Sequence, residues 1–306
     1  MSAGPEVLLK TDLPLPLFIR GKVRDTYDMG DYILIVVTDR VSAFDVVLPC
    51  GIPNKGKVLN RISAFWFDKT KDVIGNHVVA VIEDANILND YLPEDKKVQF
   101  PAYLNGRSML VKKADRLAVE CIVRGYISGS AWSEYTKSGT VSGIEMPAGL
   151  LESQAFDTPI FTPTTKADEG HDLPITMSEM EEMVGKSLAH EIKEASINIY
   201  NNAAEYAKTR GFIIADTKFE FGIDNGKLIV IDEMLTPDSS RFWEADKYKV
   251  GQAQDSFDKQ IVRDWLNESG WNKEPPGPVL PDDVISKTAR RYIEAYKKLT
   301  GKNFNA

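Results

Sequence analysis

Asp216, Lys218 and Glu220 fall at alternate positions of an otherwise apolar run, Ile213-Ile214-Ala215-Asp216-Thr217-Lys218-Phe219-Glu220-Phe221-Gly222. An extended strand sends alternate side chains to one face, so all three charges share a face. Burying an anion, a cation and an anion is costly unless each is paired or holds a ligand. A second run, Leu228-Ile229-Val230-Ile231-Asp232-Glu233, follows and brings further carboxylates. Between the runs, Ile223-Asp224-Asn225-Gly226-Lys227 suits a three-residue loop with Gly226 in the left-handed conformation. That register sets Ile223 opposite Lys227 and Lys218 opposite Asp232, with Glu220 diagonal. Glu220 and Asp232 then converge and can bridge a hard cation such as Mg²⁺ that also holds phosphates. A two-residue Asn-Gly turn instead slips the pairing by one and sends Asp232 to the other face. A solvated hairpin with a surface ion pair is the plainer reading of the same residues.

Three other segments carry chemistry-bearing side chains. Gly21-Lys22-Val23-Arg24 lies on a strand-turn-strand and matches neither the phosphate-binding loop nor the dinucleotide fingerprint. Its backbone amides and two cations suit covering a polyphosphate, as the glycine-rich loop of protein kinases does, or else are solubilising charges on an edge. Ala118-Val119-Glu120-Cys121-Ile122-Val123-Arg124 puts Glu120 and Arg124 on one face and runs toward Gly129-Ser130, where a helix begins. A serine and free amides at a helix start suit an anion, with Arg124 as a bidentate grip. Otherwise Ser130 is an N-cap and Arg124 pairs with Glu120. Thr236-Pro237-Asp238-Ser239-Ser240-Arg241-Phe242-Trp243 places Asp238 and Arg241 in a short loop suited to substrate recognition, or simply to a Pro-Asp turn.

The elements that must position these residues follow from periodicity. Phe18 to Asp39 predicts a hairpin turning at Met29-Gly30-Asp31, and Lys57 to Lys71 a helix with Leu59, Ile62, Phe65 and Trp66 on one stripe. His77 to Glu83, Ser108 to Lys113 and Ala118 to Tyr126 predict strands. A short helix through Tyr135 follows. The Pro-, Gly- and Thr-rich stretch Gly139–Gly170 shows no period and is expected to be a long functional or mobile loop. One long helical region then starts from a Thr176/Glu179 capping box and ends at Gly211. Two C-terminal helices, near Ala253–Leu266 and Pro281–Leu299, flank the breaker Pro275-Pro276-Gly277-Pro278. The expected division is a strand-rich lobe over residues 1–115 and a larger α+β lobe over 116–306.

Composition narrows the function class. With 37 basic and 45 acidic residues the net charge is −8, which argues against nonspecific nucleic-acid or membrane-surface binding. Two cysteines, Cys50 and Cys121, form no disulfide framework and fit a reducing cytoplasm. The longest clean apolar run, Ile33 to Val37, is too short to span a membrane, and no secretory signal is expected. The three histidines, His77, His171 and His190, lack metal-ligand spacing.

Taken together the segments resemble the SAICAR synthetase family (phosphoribosylaminoimidazole-succinocarboxamide synthases). The matching motifs are Leu117 to Arg124 through Gly129-Ser130, with Ala118 where the family often has proline, and Ile214 to Gly222. Gly21 to Arg24, Thr38-Asp39-Arg40-Val41-Ser42-Ala43-Phe44-Asp45, Thr164-Thr165-Lys166 with His171-Asp172, and Asp232-Glu233 through Trp243 also match. Length and the 139–170 insert resemble the fungal branch. The resemblance implies an α+β fold whose N-terminal lobe is like the kinase small lobe, with a second ATP-clasping lobe. It implies ATP- and Mg²⁺-dependent condensation of the imidazole carboxylate of CAIR (carboxyaminoimidazole ribotide) with L-aspartate through an acyl phosphate, by a monomer acting on small molecules only. Glu220 and Asp232 would ligate Mg²⁺, and Gly21, Lys22, Val23 and Arg24 would hold ATP phosphates. Met109 to Arg116, with Lys112 and Arg116, would lie by the adenine. Arg124, Ser130 and Arg241 would grip the ribotide, with Asp216 and Lys218 close to its imidazole end; Asp238 would be a further substrate-binding residue, and Lys166 would meet the aspartate. Asp216, Lys218 and Arg241 would stand at the chemistry. The resemblance places Asp39, Arg40, Ser42 and Asp45 near the substrates but assigns them no roles. A kinase is the rival enzyme, but the chain has neither His-Arg-Asp nor Asp-Phe-Gly; a nucleotide sensor that leaves ATP intact is the non-enzymatic rival.

Overall fold

The computed structural model describes residues 7–166, 172–257 and 259–305; His171, quoted among the motifs above, lies outside them. In chain order the elements are β1 (Leu17–Arg20), β2 (Arg24–Asp28), β3 (Tyr32–Val37), β4 (Arg40–Ala43), β5 (Val46–Gly51), α1 (Lys55–Lys69), β6 (Val78–Ile82), β7 (Ser108–Lys112), β8 (Asp115–Tyr126), α2 (Gly129–Ser138), β9 (Thr140–Val141), β10 (Ile144–Glu145), β11 (Ala155–Thr165), α3 (Met177–Val184), α4 (Lys186–Thr209), β12 (Phe212–Asp224), β13 (Lys227–Ile231), β14 (Ser240–Glu244), α5 (Gln260–Glu268) and α6 (Asp282–Thr300). This is the α+β class expected. The chain forms two compact units, one built from residues 7–65, His77–Lys113 and 259–305, the other from Trp66–Asn76 and Ala114–Phe257. The chain thus leaves the first unit after Lys113 and returns to it for α5 and α6.

In the first unit an antiparallel sheet runs β1-β2-β3-β7-β6, beside a β4–β5 hairpin. Tyr27, Leu34, Val36, Ile82, Leu88, Leu104 and Leu110 are buried together as its core. Gly21 N donates to Arg24 O at 2.8 Å, so residues 21–23 are the turn joining β1 to β2. Apolar and small side chains at Val284, Thr288, Tyr292, Ala295 and Leu299 make the buried stripe of α6.

In the second unit the sheet order is β11-β8-β12-β13, and β14 also pairs with β12. β13 flanks the C-terminal half of β12 and β14 the N-terminal half. The connection between them leaves the sheet edge beside Lys218, whose amide donates to Ser239 O at 3.0 Å. α4 packs on the back of this sheet, and α3 also meets β8 and β11. The buried stripe of α4, Ala189, Ile192, Ser196, Ile199, Tyr200, Ala203 and Ala207, has the spacing of one helical face. Tyr200 Oη donates to Ile214 O at 2.7 Å. A Cβ at Gly125 of β8 would lie 1.9 Å from that hydroxyl, so only glycine lets the helix seat here. The alternation of β8 and β12 thus turns Cys121, Val123, Ala215 and Phe219 inward and the charged set outward.

Three expectations are corrected. The helical region after Thr176 is two helices, because Gly185 at φ 87° interrupts the helical path; the capping box itself is present. The stretch from Gly139 is not structureless, since β11 pairs with β8 along the main sheet. Its Pro159 and Pro163 mask a strand pattern, and proline is tolerated where its missing N–H faces away from the ladder. Finally, the β12–β13 turn has two residues, with Asp224 opposite Lys227 and Glu220 opposite Ile231. Asn225 (φ 51°) and Gly226 (φ 75°) both adopt the left-handed region, the turn whose twist matches its strands. The expected pairing of Lys218 with Asp232 does not form. The ladder ends at Ile231, and Asp232 follows at φ 69°, so strand alternation does not set the direction of its side chain.

Candidate active site

The outward face of the second sheet gathers the charged motifs. In the β8–β12 ladder Asp216 lies opposite Arg124 and Glu220 opposite Glu120, while β14 sets Arg241 opposite Asp216 on its other side. Directly opposed residues of an antiparallel pair point the same way, so five of the candidate side chains and Glu120 share this face. They divide into an arginine cluster and a lysine cluster.

Asp216 accepts from Arg124 Nη1 at 3.3 Å and also from Arg241 Nη1. Arg124 Nε reaches Thr162 Oγ1 on β11 at 3.1 Å. Arg124 therefore pairs with Asp216, not with Glu120, and Arg241 sits on a strand, not in the loop expected from Thr236-Pro237-Asp238. Its guanidinium lies against the start of α2: a Cβ on Gly129, at φ 57°, would be 2.3 Å from Arg241 Nη2. Ser128, not Ser130, is the N-cap of α2, and it makes no side-chain capping bond. Its buried hydroxyl has no hydrogen-bond partner among the described residues. Ser130 is exposed in the first helical turn. Two guanidiniums, an orphaned buried hydroxyl and a helix start are groups whose chemistry suits an anion. Ser128 is not among the residues the motifs single out, although two serines flank Gly129 in the sequence.

Glu120 is the centre of the lysine cluster. It is 2% exposed and accepts Lys218 Nζ on both oxygens, at 2.7 Å each, and Lys166 Nζ on Oε1. Lys166 Nζ also donates to Glu220 Oε1 at 2.7 Å. Opposed carboxylates repel across a ladder, and here two ammonium groups compensate them. Burial works against ionisation of Glu120, yet Lys218 and Lys166 outweigh it and hold its carboxyl below the usual range. Burial likewise opposes the Lys166 charge, but Glu220 and Glu120 raise its pKa and keep it protonated. The Lys166 backbone is pinned just beyond β11, its amide donating to Ala118 O at 3.0 Å.

Among the described residues no cluster of three or more His, Cys, Asp or Glu is arranged as a metal site. The carboxylates of Glu220 and Asp232 are nevertheless hard donors of the kind Mg²⁺ takes while keeping waters and phosphates as its other ligands, so their chemistry fits.

A model of the family described as SAICAR synthetase matches residues 17–278. The chain belongs to the SAICAR synthetase family. The phosphoribosylaminoimidazole-succinocarboxamide synthase of Thermodesulfovibrio yellowstonii is 55% identical over 96% of this chain and 99% of that protein. That of Geobacter metallireducens is 54% identical over 97% and 98%. A solved structure of SAICAR synthase from Saccharomyces cerevisiae complexed with SAICAR is 46% identical, with TM-score 0.89 over 98% of this chain and 100% of that one. The longer form that the sequence suggested to be fungal is thus shared by bacterial SAICAR synthetases. Family membership makes the chain a ligase of purine biosynthesis and removes the kinase and sensor readings.

The remaining SAICAR synthetase motif residues take definite places. Lys22 Nζ pairs with Asp45 Oδ1 at 2.5 Å on the surface of the first unit. Arg40 holds the turn that carries Lys22, donating to Lys22 O at 3.0 Å, Gly21 O at 2.9 Å and Asp25 Oδ1 at 2.7 Å. Asp39 accepts from the amides of Leu8 and Gly56, both at 2.9 Å, and from Arg107 at 3.0 Å. Asp39 and Arg40, left without roles by the sequence, support the backbone. Val23 O accepts from Thr38, and Arg24 opens β2. Lys112 ends β7 exposed, Arg116 lies exposed on β8, and Asp238 sits in a turn closed by Ser239 N on Thr236 O at 3.1 Å.

Proposed function

We infer that the charged face of β8, β12 and β14 is where this enzyme joins L-aspartate to the carboxylate of CAIR, with ATP converted to ADP and phosphate. The ligation itself is the family activity. The observation that carries the placement is the contact of Arg241 with the start of α2 beside Arg124, on the same face as Lys218 and Glu220. An anion grip next to alternating ammonium and carboxylate groups suits a substrate with a phosphate at one end and a carboxylate at the other.

A carboxylate is a poor electrophile, and its charge repels an amine. One CAIR carboxylate oxygen attacks the γ-phosphorus of ATP, the bond to the β,γ-bridging oxygen breaks, and ADP leaves. The aspartate amine then attacks the acyl phosphate carbon, loses a proton, and expels inorganic phosphate to leave the amide. Positioning and charge neutralisation supply most of the rate. Arg124, Arg241, Ser130 and the α2 amides hold the ribotide phosphate, and Asp238 lies toward the same substrate. Asp216 fixes both guanidiniums, and Lys218 meets the carboxylate being activated. Lys166 serves aspartate. Gly21, Lys22, Val23 and Arg24 bind ATP phosphates, with Lys112 and Arg116 toward the base. Mg²⁺, held by Glu220 and Asp232, would neutralise the nucleotide phosphates.

No helix among the described residues is long and apolar enough to cross a membrane. With the two free cysteines, a cytoplasmic monomer handling only small molecules is our reading. The test is incubation of the pure protein with ATP, Mg²⁺, CAIR and aspartate. The succinyl amide, formed with one ADP per product, is expected. ATP turnover that needs only one of the two cosubstrates would overturn it.

A further inference from the structure

Glu120, Glu220, Lys166 and Lys218 form a quartet whose formal charges cancel, two negative against two positive. Lys166 is the member shared between strands, bonded to Glu120 on β8 and Glu220 on β12. Lys218 is bidentate on Glu120. A divalent cation on Glu220 competes with the Lys166 ammonium, which holds Oε1, for the same carboxylate. The Lys166 side chain is 21% exposed, so its pairing with Glu220 is of the strength of a partly solvated ion pair and is exchangeable. Glu120, at 2%, is enclosed and bonds both lysines itself.

We propose that Lys166 is the resident counter-ion of Glu220, that a divalent cation displaces it, and that the displaced ammonium, tethered by Glu120, then binds a substrate carboxylate. This rests on the reading of Glu220 as a metal ligand. The exchange breaks one ion pair and forms two, metal to Glu220 and Lys166 to substrate. Before it the quartet is neutral and offers an anion little. Afterwards Lys166 and the divalent ion add positive charge where the carboxylates of CAIR and aspartate must meet. Glu120 is the positioning residue: it keeps Lys218 in place while Lys166 changes partners.

Mn²⁺ serves as the probe, its free concentration read by electron paramagnetic resonance with the full chain. Lys166→Met is expected to bind Mn²⁺ roughly twofold to fivefold more tightly than the unmodified protein, as loss of a competing ion pair implies. Glu220→Gln is expected to lose that binding. If Glu220→Gln keeps it, the metal assignment itself fails. If Glu220→Gln loses it and Lys166→Met is no tighter, the exchange is overturned while the metal assignment stands. Lys166→Gln, which keeps a polar stem without charge, repeats the test should the methionine variant not fold. Calorimetric titration of CAIR and of aspartate, each with a non-hydrolysable ATP analogue plus Mg²⁺ or plus chelator, identifies the carboxylate. Metal is expected to tighten one of the two several-fold, and only with Lys166 present. An equal gain in Lys166→Met overturns the proposal.

Discussion

Lys218 donates to both carboxylate oxygens of Glu120, at 2.7 Å each, although the two residues lie 98 positions apart in the chain. The bond fixes the ammonium of the central motif lysine from a neighbouring strand. Glu120→Gln removes the charge and one acceptor while keeping the shape. Losing a charge-assisted hydrogen bond costs about 1.5–3 kcal/mol, so kcat should fall roughly ten- to a hundredfold. Affinity for ATP should change little; a parallel loss of ATP affinity and melting temperature would mean that Glu120 only stabilises the sheet.

Glu220→Gln and Asp232→Asn should each nearly abolish turnover while the circular dichroism spectrum and melting temperature stay close to normal. The measurement is rate against Mg²⁺ concentration. Near-normal rates at ordinary Mg²⁺ would contradict the metal assignment.

Arg241→Ala should weaken CAIR about ten- to a hundredfold and ATP far less, because Arg241 lies at the start of α2 and on Asp216. Binding titrations of the two ligands decide it. Equal weakening of both would show that the residue does not grip the ribotide.

CAIR labelled with heavy oxygen in its carboxylate should deliver one labelled atom to the released phosphate, read by mass spectrometry. Unlabelled phosphate would rule out the acyl phosphate.

Stability should fall in acid partly through Asp25. Burial opposes its ionisation, but hydrogen bonds from Arg40 and Thr11 prevail and hold its pKa below the usual carboxylate value. A carboxyl depressed in the folded state stabilises fully above its unfolded pKa, about 3.9, and that stability is lost as pH falls through the lower folded value. Asp25→Asn should therefore lower stability at neutral pH, by about 3 kcal/mol for breaking a buried pair, and flatten the acid limb of a urea-midpoint profile. An unchanged acid limb would remove Asp25 as its cause.

Alternation alone determined that Asp216, Lys218 and Glu220 share a face, and the Thr176/Glu179 spacing determined a helix start, because strand period and capping are local properties. The motif residues and their order likewise sufficed to reach the family. Partnership was not legible. Arg124 could pair with Glu120 by spacing, yet β12 brings Asp216 to it from 92 positions away, and Glu120 takes Lys166 and Lys218 instead. Thr- and Pro-rich β11 reads as loop until β8 lies beside it, and the Asn225-Gly226 turn chose the register opposite to the one its neighbours suggested. Local sequence sets which way a side chain can point; which charge it meets is set by strands that only the folded chain brings together, since pairing energy resides between segments and not within them.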